Sequence, residues 1–313
     1  MKTLKDCRIV FMGTPAFAVA ILDKLVKECC NVVGVVTAPD KPAGRGMQMT
    51  ESAVKKYAVE HGLHLLQPVK LKDPEFITAL ADLKADVQVV VAFRMLPEIV
   101  WNMPPLGTIN LHASLLPKYR GAAPINWAII NGEKETGLTT FRLQHAIDTG
   151  DVLMQEKIQI RDDETAGELH DEMMELGASL VYTTLDQYCM GVLDPKPQAV
   201  IAALAELPSA PKIHTETCKI DWNKTARQVF DLVRGLSPYP GCFTFLDGKM
   251  MKVFKASFET ISTATPPGEY HTDGKSFLRF AAADGWVTIT ELQLEGKKRM
   301  DIASFLRGHR FIN

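Results

Sequence analysis

The fold is indicated by the stretch from Arg8 to Thr37, which reads RIVFMGTPAFAVAILDKLVKECCNVVGVVT. The apolar run Arg8–Met12 predicts a buried first strand. The turn Gly13–Pro15 leads into an amphipathic segment, Phe17–Cys29, that predicts a helix, and Val32–Thr37 predicts a second buried strand. A strand, a helix and another strand in this order predict a parallel, doubly wound α/β sheet.

The first turn also bears on the ligand class. It contains Gly13 alone where a dinucleotide-binding turn has the pattern Gly-x-Gly-x-x-Gly, and the sequence has no Gly-x-x-x-x-Gly-Lys. Both patterns bring backbone N–H groups close to phosphates. The sequence therefore disfavours binding of a dinucleotide or a nucleoside triphosphate.

Further helices and strands continue the α/β pattern along the first part of the chain. Apolar periodicity predicts helices over Glu51–His61, Pro74–Leu83, Trp127–Ile130 and Thr165–Tyr188. Short apolar or alternating runs predict strands over His64–Leu66, Val87–Ala92, Thr108–Leu111, Thr136–Gln144 and Val152–Ile160. We expect these elements to form one domain over residues 1–190.

The pattern changes after this domain. Residues 191–211 contain Pro195, Pro197, Pro208 and Pro211 and predict a linker with a short helical stretch over Val200–Ala205. Beyond it, a helix over Thr225–Gly235 precedes closely spaced strands with glycine turns, which are typical of a small OB-like β-barrel over residues 212–313. The predicted strands are Phe243–Leu246, Met250–Ser257, Phe277–Phe280 and Trp286–Leu294.

Composition places the protein in the globular class. Its 313 residues are 46% hydrophobic and 23% charged, and the net charge of −2 gives no overall nucleic-acid signal. The stretch Glu206–Asn313 holds 15 basic against 12 acidic residues, so the barrel is mildly basic. A basic barrel suits a nucleic-acid surface, although exposed lysines are more often simply solvated. The clustered cations are Lys249, Lys252, Lys255, Lys297, Lys298 and Arg299.

Cysteine usage and the first residues bear on location. The cysteines form no Cys-x-x-Cys pair and no metal-ligand spacing, which favours buried thiols in a reducing compartment. They are Cys7, Cys29, Cys30, Cys189, Cys218 and Cys242. The stretch Met1–Asp6 lacks the apolar run of a signal peptide, and no segment approaches membrane-spanning length. We expect a cytoplasmic protein.

The predicted strand Thr108–Leu111 contains the polar residue Asn110, and His112 follows it directly. Residues two apart on a strand point to the same face, so an amide and an imidazole project side by side. The amide can donate to an oxygen that becomes negative, and a histidine can exchange a proton near neutral pH. The alternative is that Asn110 caps a turn and His112 is a structural residue.

A loop between two predicted strands supplies an acid. His145–Asp151 reads HAIDTGD, and an acid beside the Asn110 and His112 pair would orient the imidazole or a water. Asp148 is the first candidate and Asp151 the second. The alternative is a hairpin loop in which Asp148 caps the turn before Gly150.

The stretch Ala38–Gly46 is rich in proline and glycine and carries Lys41 and Arg45. It predicts a mobile surface loop at the carboxyl end of a strand, the usual ligand side of an open α/β sheet. A guanidinium there suits an anionic or nucleic-acid partner. A solvated loop that only connects two elements agrees equally well with this stretch.

Several motifs together resemble the methionyl-tRNA formyltransferases, a branch of the folate-dependent formyltransferase family. The resemblance covers nearly the whole chain in order. Its motifs are FMGTPAFAV over Phe11–Val19, KPAGRG over Lys41–Gly46, NLHASLLPKYRGAAP over Asn110–Pro124, HAIDTGD over His145–Asp151 and LSPYPGCFT over Leu236–Thr244. It implies a Rossmann-like catalytic domain followed by an OB-like, tRNA-binding domain.

The resemblance also implies an activity and its residues. A formyl group would pass from N10-formyltetrahydrofolate to the α-amino group of methionine on the initiator tRNA, with no metal. Asn110, His112 and Asp148 occupy the family's catalytic positions, and Lys41 and Arg45 match the loop used near the tRNA acceptor end. We expect a monomer that has no membrane partner.

Folate contacts follow from the same resemblance. We expect the pterin to lie against the backbone of Val91–Arg94 and of the Ile147–Asp151 loop, and the Ser-Leu-Leu-Pro segment is shared by other folate-dependent formyltransferases. The resulting folate-binding residues are Val91, Ala92, Phe93, Arg94, Ser114, Leu115, Leu116, Pro117, Ile147, Asp148, Thr149, Gly150 and Asp151.

Two other functions remain open at this point. A formyltransferase acting on an amino sugar attached to a nucleotide would keep Asn110, His112 and Asp148 but would have no use for the loop that carries Lys41 and Arg45. An RNA-binding module with an inactive α/β domain would bind folate without turnover.

Overall fold

The computed structural model describes residues 3–43, 48–198 and 207–311. The chain forms two compact units. Unit 1 comprises Met1–Arg120, Gly137–Ile158 and Asp171–Pro208, and unit 2 comprises Gly121–Thr136, Gln159–His170 and Ser209–Asn313. The predicted boundaries at residues 190 and 212 remain a prediction. The helical stretch predicted over Val200–Ala205 lies outside the described residues.

Strands and helices alternate in the first two thirds of the chain. The strands described before residue 212 are β1 (Ile9–Gly13), β2 (Val32–Val36), β3 (Lys41–Ala43), β4 (Gln48–Thr50), β5 (Leu65–Leu66), β6 (Val87–Val91), β7 (Thr108–His112), β8 (Arg120–Gly121), β9 (Glu135–Arg142), β10 (Val152–Gln159) and β11 (Ser209–Ala210). The helices described there are α1 (Ala16–Lys27), α2 (Ala53–Glu60), α3 (Pro74–Asp82), α4 (Glu98–Trp101), α5 (Pro124–Ile130) and α6 (Ala166–Cys189).

The largest sheet has seven strands in the order β10-β9-β7-β6-β1-β2-β5. The pairs β1–β2, β1–β6, β2–β5 and β6–β7 are parallel, and β9 pairs with β7 in the antiparallel sense. Strand order reverses at β1, from which the chain first proceeds to β2 and β5 and then returns to β6. This confirms the predicted doubly wound, Rossmann-like α/β sheet.

The opening βαβ unit follows directly from its residues. Every residue of β1 is buried, as expected of a central parallel strand that is covered on both faces. A Cβ at Gly13 would lie 2.5 Å from the Cβ of Ala18, so only glycine lets α1 approach the strand end this closely. Helix α1 then buries Phe17, Ala18, Ile21, Leu22 and Leu25.

The segment predicted as a mobile surface loop after β2 contains a strand. Strands β3 and β4 form a two-stranded antiparallel ribbon in which Lys41 lies opposite Thr50. The prediction of a loop was therefore wrong for Lys41–Ala43, because backbone pairing outweighs the turn-rich composition there. Arg45 lies outside the described residues.

The described residues after position 212 form an antiparallel sheet, two α-helices and a 3₁₀ helix over Glu216–Cys218. Its strands are β12 (Cys242–Leu246), β13 (Lys249–Thr260), β14 (Tyr270–Thr272), β15 (Leu278–Ala282), β16 (Gly285–Leu294) and β17 (Met300–Asp301), and the helices are α7 (Ala226–Gly235) and α8 (Ile302–Gly308). The order is β12-β13-β16-β15-β14, with β17 on β16. The predicted strands are confirmed, whereas β14, β17 and α8 were not predicted.

The long strand β13 bends where its register slips. Val253 pairs with Leu292 and Lys255 with Glu291, so Phe254 is an extra residue between two consecutive partners on β16. An extra residue of this kind is a β-bulge, which bends and twists the strand. The bend curls the sheet around a core in which Trp222 stacks on Phe280 at 4.7 Å, confirming the OB-like class.

Candidate active site

Strand β7 places Asn110 and His112 on one face of the sheet, as the spacing predicts. Asn110 pairs with Val90 on one side and with Phe141 on the other, while His112 lies opposite Thr139. Asn110 is half-buried, and His112 is 6% exposed. The imidazole is thus largely withdrawn from bulk water, at the carboxyl end of the parallel strands.

One nitrogen of the His112 imidazole forms a hydrogen bond within the protein. Its Nε2 lies 2.8 Å from the backbone oxygen of Tyr119. A carbonyl oxygen only accepts, so Nε2 carries a hydrogen and donates it. The neutral ring therefore keeps its lone pair on Nδ1, and Nδ1 is the atom that can accept a proton.

Asp148 faces that same nitrogen. Its Oδ2 lies 3.9 Å from His112 Nδ1, and the carboxylate side chain is 13% exposed. The distance is too long for a direct hydrogen bond and leaves the pair close enough to share a water or a substrate atom. Of the two acids predicted in the loop, Asp148 is the one placed beside the imidazole.

The loop that carries Asp148 has tight local geometry. Asp148 has φ 53°, in the left-handed region that few non-glycine residues occupy. Thr149 Oγ1 donates to Ala146 O at 2.9 Å. A Cβ at Gly150 would lie 1.6 Å from Arg142 O, so the loop passes β9 at a distance that only glycine allows.

The Ser-Leu-Leu-Pro segment follows β7 and is hydrogen-bonded to β9. Ser114 and Leu116 are buried, and Ser114 Oγ donates to Lys118 O at 2.6 Å. Thr139 Oγ1 donates to Ser114 O at 2.6 Å and accepts from Leu116 N at 3.1 Å. These bonds fix the strand end that carries His112. Contact of Ser114–Pro117 with folate stays a prediction.

In the segment after β6, the guanidinium of Arg94 is hydrogen-bonded to backbone oxygens. Ala92 has φ 46°. Arg94 Nη1 donates to Val69 O at 2.9 Å and Nη2 donates to Pro68 O, and burial lowers the pKa of this guanidinium. Arg94 therefore secures the preceding loop, and folate contact by Val91–Arg94 stays a prediction.

A cavity of about 240 Å³ lies in unit 1 beside the Asp148 loop. It is lined by Trp101, Asn102, Gly107, Thr108, Arg142, Leu143, Gln144 and Asp151. Asp151 is the one residue it shares with the predicted folate set. The others come from the end of α4, the start of β7 and the end of β9. Sequence reasoning missed them because these elements are distant in the chain.

The remaining predicted residues are partly described. Lys41 is exposed on β3, where it suits contact with a polyanion. Among residues 3–43, 48–198 and 207–311, no group of three or more His, Cys, Asp or Glu side chains is placed to hold a metal ion. None of the helices within those ranges is both long and apolar enough to cross a bilayer.

Two family models match the chain. The model described as "Formyl transferase" matches residues 7–185, and the model described as "Formyl transferase, C-terminal domain" matches residues 212–310. Curated relatives agree. A methionyl-tRNA formyltransferase of Bacteroides fragilis is 54% identical over 97% of this chain and 95% of its own length. One of Flavobacterium johnsoniae is 48% identical over 98% of each.

Solved structures show the same fold at low identity. A sugar 3N-formyltransferase, WlaRD, superimposes with a TM-score of 0.68 at 18% identity over 93% of this chain and 99% of its own. HypX of Aquifex aeolicus in complex with tetrahydrofolic acid gives a TM-score of 0.62 at 20% identity. The match covers 98% of this chain and 48% of the HypX chain, so this chain spans about half the length of HypX.

The two family models match residues 7–185 and 212–310, and the curated relatives are about half identical over nearly the full chain. This chain belongs to the formyl transferase family.

Proposed function

We propose that this protein transfers the formyl group of N10-formyltetrahydrofolate to the α-amino group of methionine on the initiator tRNA, as a monomer in the cytoplasm. The observation that carries the proposal is the placement of His112 Nδ1 3.9 Å from Asp148, with Asn110 on the same strand face. The relatives named methionyl-tRNA formyltransferase, about half identical over nearly the full chain, support the choice of amine.

The chemistry begins with attack of the neutral amine on the formyl carbon. A carbon–nitrogen bond forms to the methionine nitrogen, and the formyl oxygen becomes an oxyanion. Asn110 donates its amide N–H to that oxygen, since a half-buried amide stabilises charge more effectively than one in water. The tetrahedral intermediate then carries an excess proton on the attacking nitrogen.

His112 and Asp148 move that proton. His112 Nδ1 accepts it, directly or through a water, because Nε2–H is committed to Tyr119 O. The carboxylate of Asp148, 3.9 Å away, stabilises the imidazolium. The proton then passes to the departing folate nitrogen as its bond to the formyl carbon breaks, so tetrahydrofolate leaves and the imidazole is neutral again.

We propose that the folate pterin lies against the backbone of the Ile147–Asp151 loop, which borders the cavity of about 240 Å³ at Asp151. Asp151 belongs to the same loop as Asp148, so a ring held there would lie next to the loop that carries the catalytic acid. The predicted contacts from Val91–Arg94 and Ser114–Pro117 complete the proposed folate site.

For the tRNA, we propose contacts from Lys41 and Arg45 near the acceptor end and from the basic sheet of unit 2. The exposed lysines of that sheet and its turns would contact phosphates, whose neutralisation supplies most of the affinity for nucleic acid. They are Lys249, Lys255, Lys297 and Lys298.

A competing amine acceptor is a nucleotide-linked amino sugar, because a sugar 3N-formyltransferase has the same fold. The decisive assay offers N10-formyltetrahydrofolate with methionine-charged initiator tRNA, charged elongator tRNA and a nucleotide amino sugar in parallel. We expect formylation of the initiator alone. Activity confined to the sugar would overturn the tRNA assignment, and folate binding without turnover on any amine would indicate a binding module.

A further inference from the structure

We propose that Gln198, held in place by Arg120, is a positioning residue of the active site: it fixes the backbone of the Asp148 loop and thereby sets the separation between Asp148 and His112. This inference rests on the proposed catalytic roles of those two side chains. It concerns a residue that lies in the predicted linker, 50 positions from Asp148 in the sequence.

The side-chain amide of Gln198 ties two points of the loop together. Its Nε2 donates to Asp148 O at 3.0 Å and to Gly150 O at 2.7 Å. Gln198 is 2% exposed, so these bonds do not compete with bulk water. The two N–H groups of one amide therefore hold the carbonyls on either side of Thr149.

Arg120 determines which way that amide points. Its Nε and Nη2 donate to Gln198 Oε1 at 3.2 and 2.6 Å. A guanidinium only donates, so the oxygen of the amide must face Arg120 and the nitrogen must face the loop. Without Arg120, the amide could rotate and present its oxygen to two carbonyl oxygens, which would repel it.

Two adjacent residues consequently fix both partners of the proton-transfer pair. The backbone oxygen of Tyr119 accepts from His112 Nε2 at 2.8 Å, and the side chain of Arg120 acts on the Asp148 loop through Gln198. The imidazole and the carboxylate are therefore both held by residues 119 and 120, which keeps them 3.9 Å apart.

The loop requires such support because of its backbone conformation. Asp148 adopts φ 53°, a conformation that persists at a non-glycine residue only when its surroundings enforce it. The carbonyl that Gln198 binds belongs to this residue. Loss of that bond would let the peptide relax and move the carboxylate away from His112.

The test replaces Gln198 and measures kcat and KM separately. Gln198→Leu removes both donors at similar volume. We expect kcat to fall by up to about 100-fold, the effect of a misplacement of about 1 Å, with the KM for the amine substrate within about twofold. Gln198→Glu keeps an acceptor for Arg120 but directs an oxygen at the two carbonyls, and we expect a kcat loss at least as large. Arg120→Lys, which retains one donor, should lose less than Arg120→Met.

A double-mutant comparison separates positioning from a general structural effect. If Gln198 acts through the carboxylate, Gln198→Leu should cost little in the Asp148→Asn background, measured by single-turnover formyl transfer. Equal losses in both backgrounds would overturn the proposal, as would a rise in KM at constant kcat or wild-type activity in Gln198→Leu.

The role of Gln198 can be tested whether or not the amine substrate is the initiator tRNA. The kinetics use whichever amine the parent protein formylates, so a sugar substrate would leave the test intact. A crystal structure of Gln198→Leu supplies a readout that needs no activity. We expect the Asp148 loop to be displaced, and an unchanged loop with the same His112–Asp148 distance would overturn the proposal.

Discussion

Asp148 combines a strained backbone angle with the carboxylate that faces His112, so substitutions there change two properties at once. Asparagine tolerates the left-handed conformation and removes only the charge, whereas alanine also disfavours the backbone angle. We expect both variants to lower kcat by about 10²–10⁴-fold, the range for lost proton-transfer catalysis. Alanine alone should also lower the free energy of unfolding, by about 1 kcal/mol.

The measurement is single-turnover formyl transfer together with urea unfolding of each variant. Equal stabilities for Asp148→Asn and Asp148→Ala would contradict the strain at this position. Wild-type turnover in Asp148→Asn would exclude the carboxylate from proton transfer.

Gly150 is the residue whose replacement should disturb the loop most directly. A Cβ there would lie 1.6 Å from Arg142 O, a backbone atom of β9 that cannot move without breaking the strand. We expect Gly150→Ala to reduce kcat by about 100-fold through displacement of Asp148. Gly308→Ala is the control, since nothing lies within 4 Å of a Cβ there. Similar kinetics for the two variants would contradict the close approach.

The sequence predicted those candidate site residues whose pattern is local. Asn110 and His112 are two apart on one strand, and Asp148 lies in a loop of characteristic composition. Gln198 carries no such signal, because its partners lie 50 and 78 positions away and the chain must fold before they meet. The residues lining the cavity were missed for the same reason.

Among the elements, helix α6 begins with a reciprocal pair of hydrogen bonds. Thr165 N and Oγ1 donate to Glu168 Oε2 at 2.9 and 2.7 Å, and Glu168 N donates to Thr165 Oγ1 at 3.3 Å. These bonds lower the pKa of Glu168 below its ordinary value of 4.5. The backbone N–H of Thr165 has the larger effect and its hydroxyl the smaller one. A capping pair of this kind contributes about 1 kcal/mol.

The lowered pKa fixes the sign of the pH dependence. The ionised form is favoured in the folded state, so the contribution is present above pH 4.5 and is lost as the pH falls through the lower, folded-state pKa. We expect Glu168→Gln to be less stable than the parent near neutral pH, with the difference shrinking as the pH falls below 4.5. Urea unfolding across that range measures it; a difference independent of pH would contradict the prediction.

Elements with a strong apolar pattern were predicted well, and several short elements without one were not. Strands β1, β6 and β7 and helices α1 and α6 appear close to the expected bounds. Strands β14 and β17 are too short to show an alternating pattern, and they are strands only because β15 and β16 pair with them. The ribbon of β3 and β4 likewise depends on pairing across residues of turn-rich composition.

For the whole molecule, the uneven charge bears on binding of a polyanion. The net charge is −2, yet the stretch from Glu206 onward carries 15 basic and 12 acidic residues. We expect the combined substitution of Lys249, Lys297 and Lys298 by glutamine to raise the KM for tRNA and leave the KM for folate unchanged. Each lost phosphate contact should make the dependence of log(kcat/KM) on log[salt] shallower by about 0.7–0.9.

Kinetics over a range of salt concentrations provide the measurement. Glutamine substitution of Lys27 and Lys134, which are exposed and paired with Asp23 and Asp162, is the control and should not change the slope. An unchanged slope in the triple variant would exclude these lysines from the tRNA surface.

The two domains predicted over residues 1–190 and 212–313 rest on the change of sequence pattern around the proline-rich segment of residues 191–211, and their boundaries stay a prediction. The residues that make up the two compact units give no such signal in the sequence. Unit 2 includes Gly121–Thr136 and Gln159–His170 from the first part of the sequence. Local patterns cannot report such groupings, since they depend on which surfaces pack after folding.

One consequence follows from the bond between His112 Nε2 and the carbonyl of Tyr119. The acceptor belongs to the main chain, so a substitution at position 119 changes the side chain and leaves a carbonyl group there. Such a substitution can alter the tautomer of His112 only by displacing the backbone at this buried residue, which has φ 59°. Only chemical synthesis, for example an ester in place of the peptide bond between residues 119 and 120, would weaken the acceptor itself.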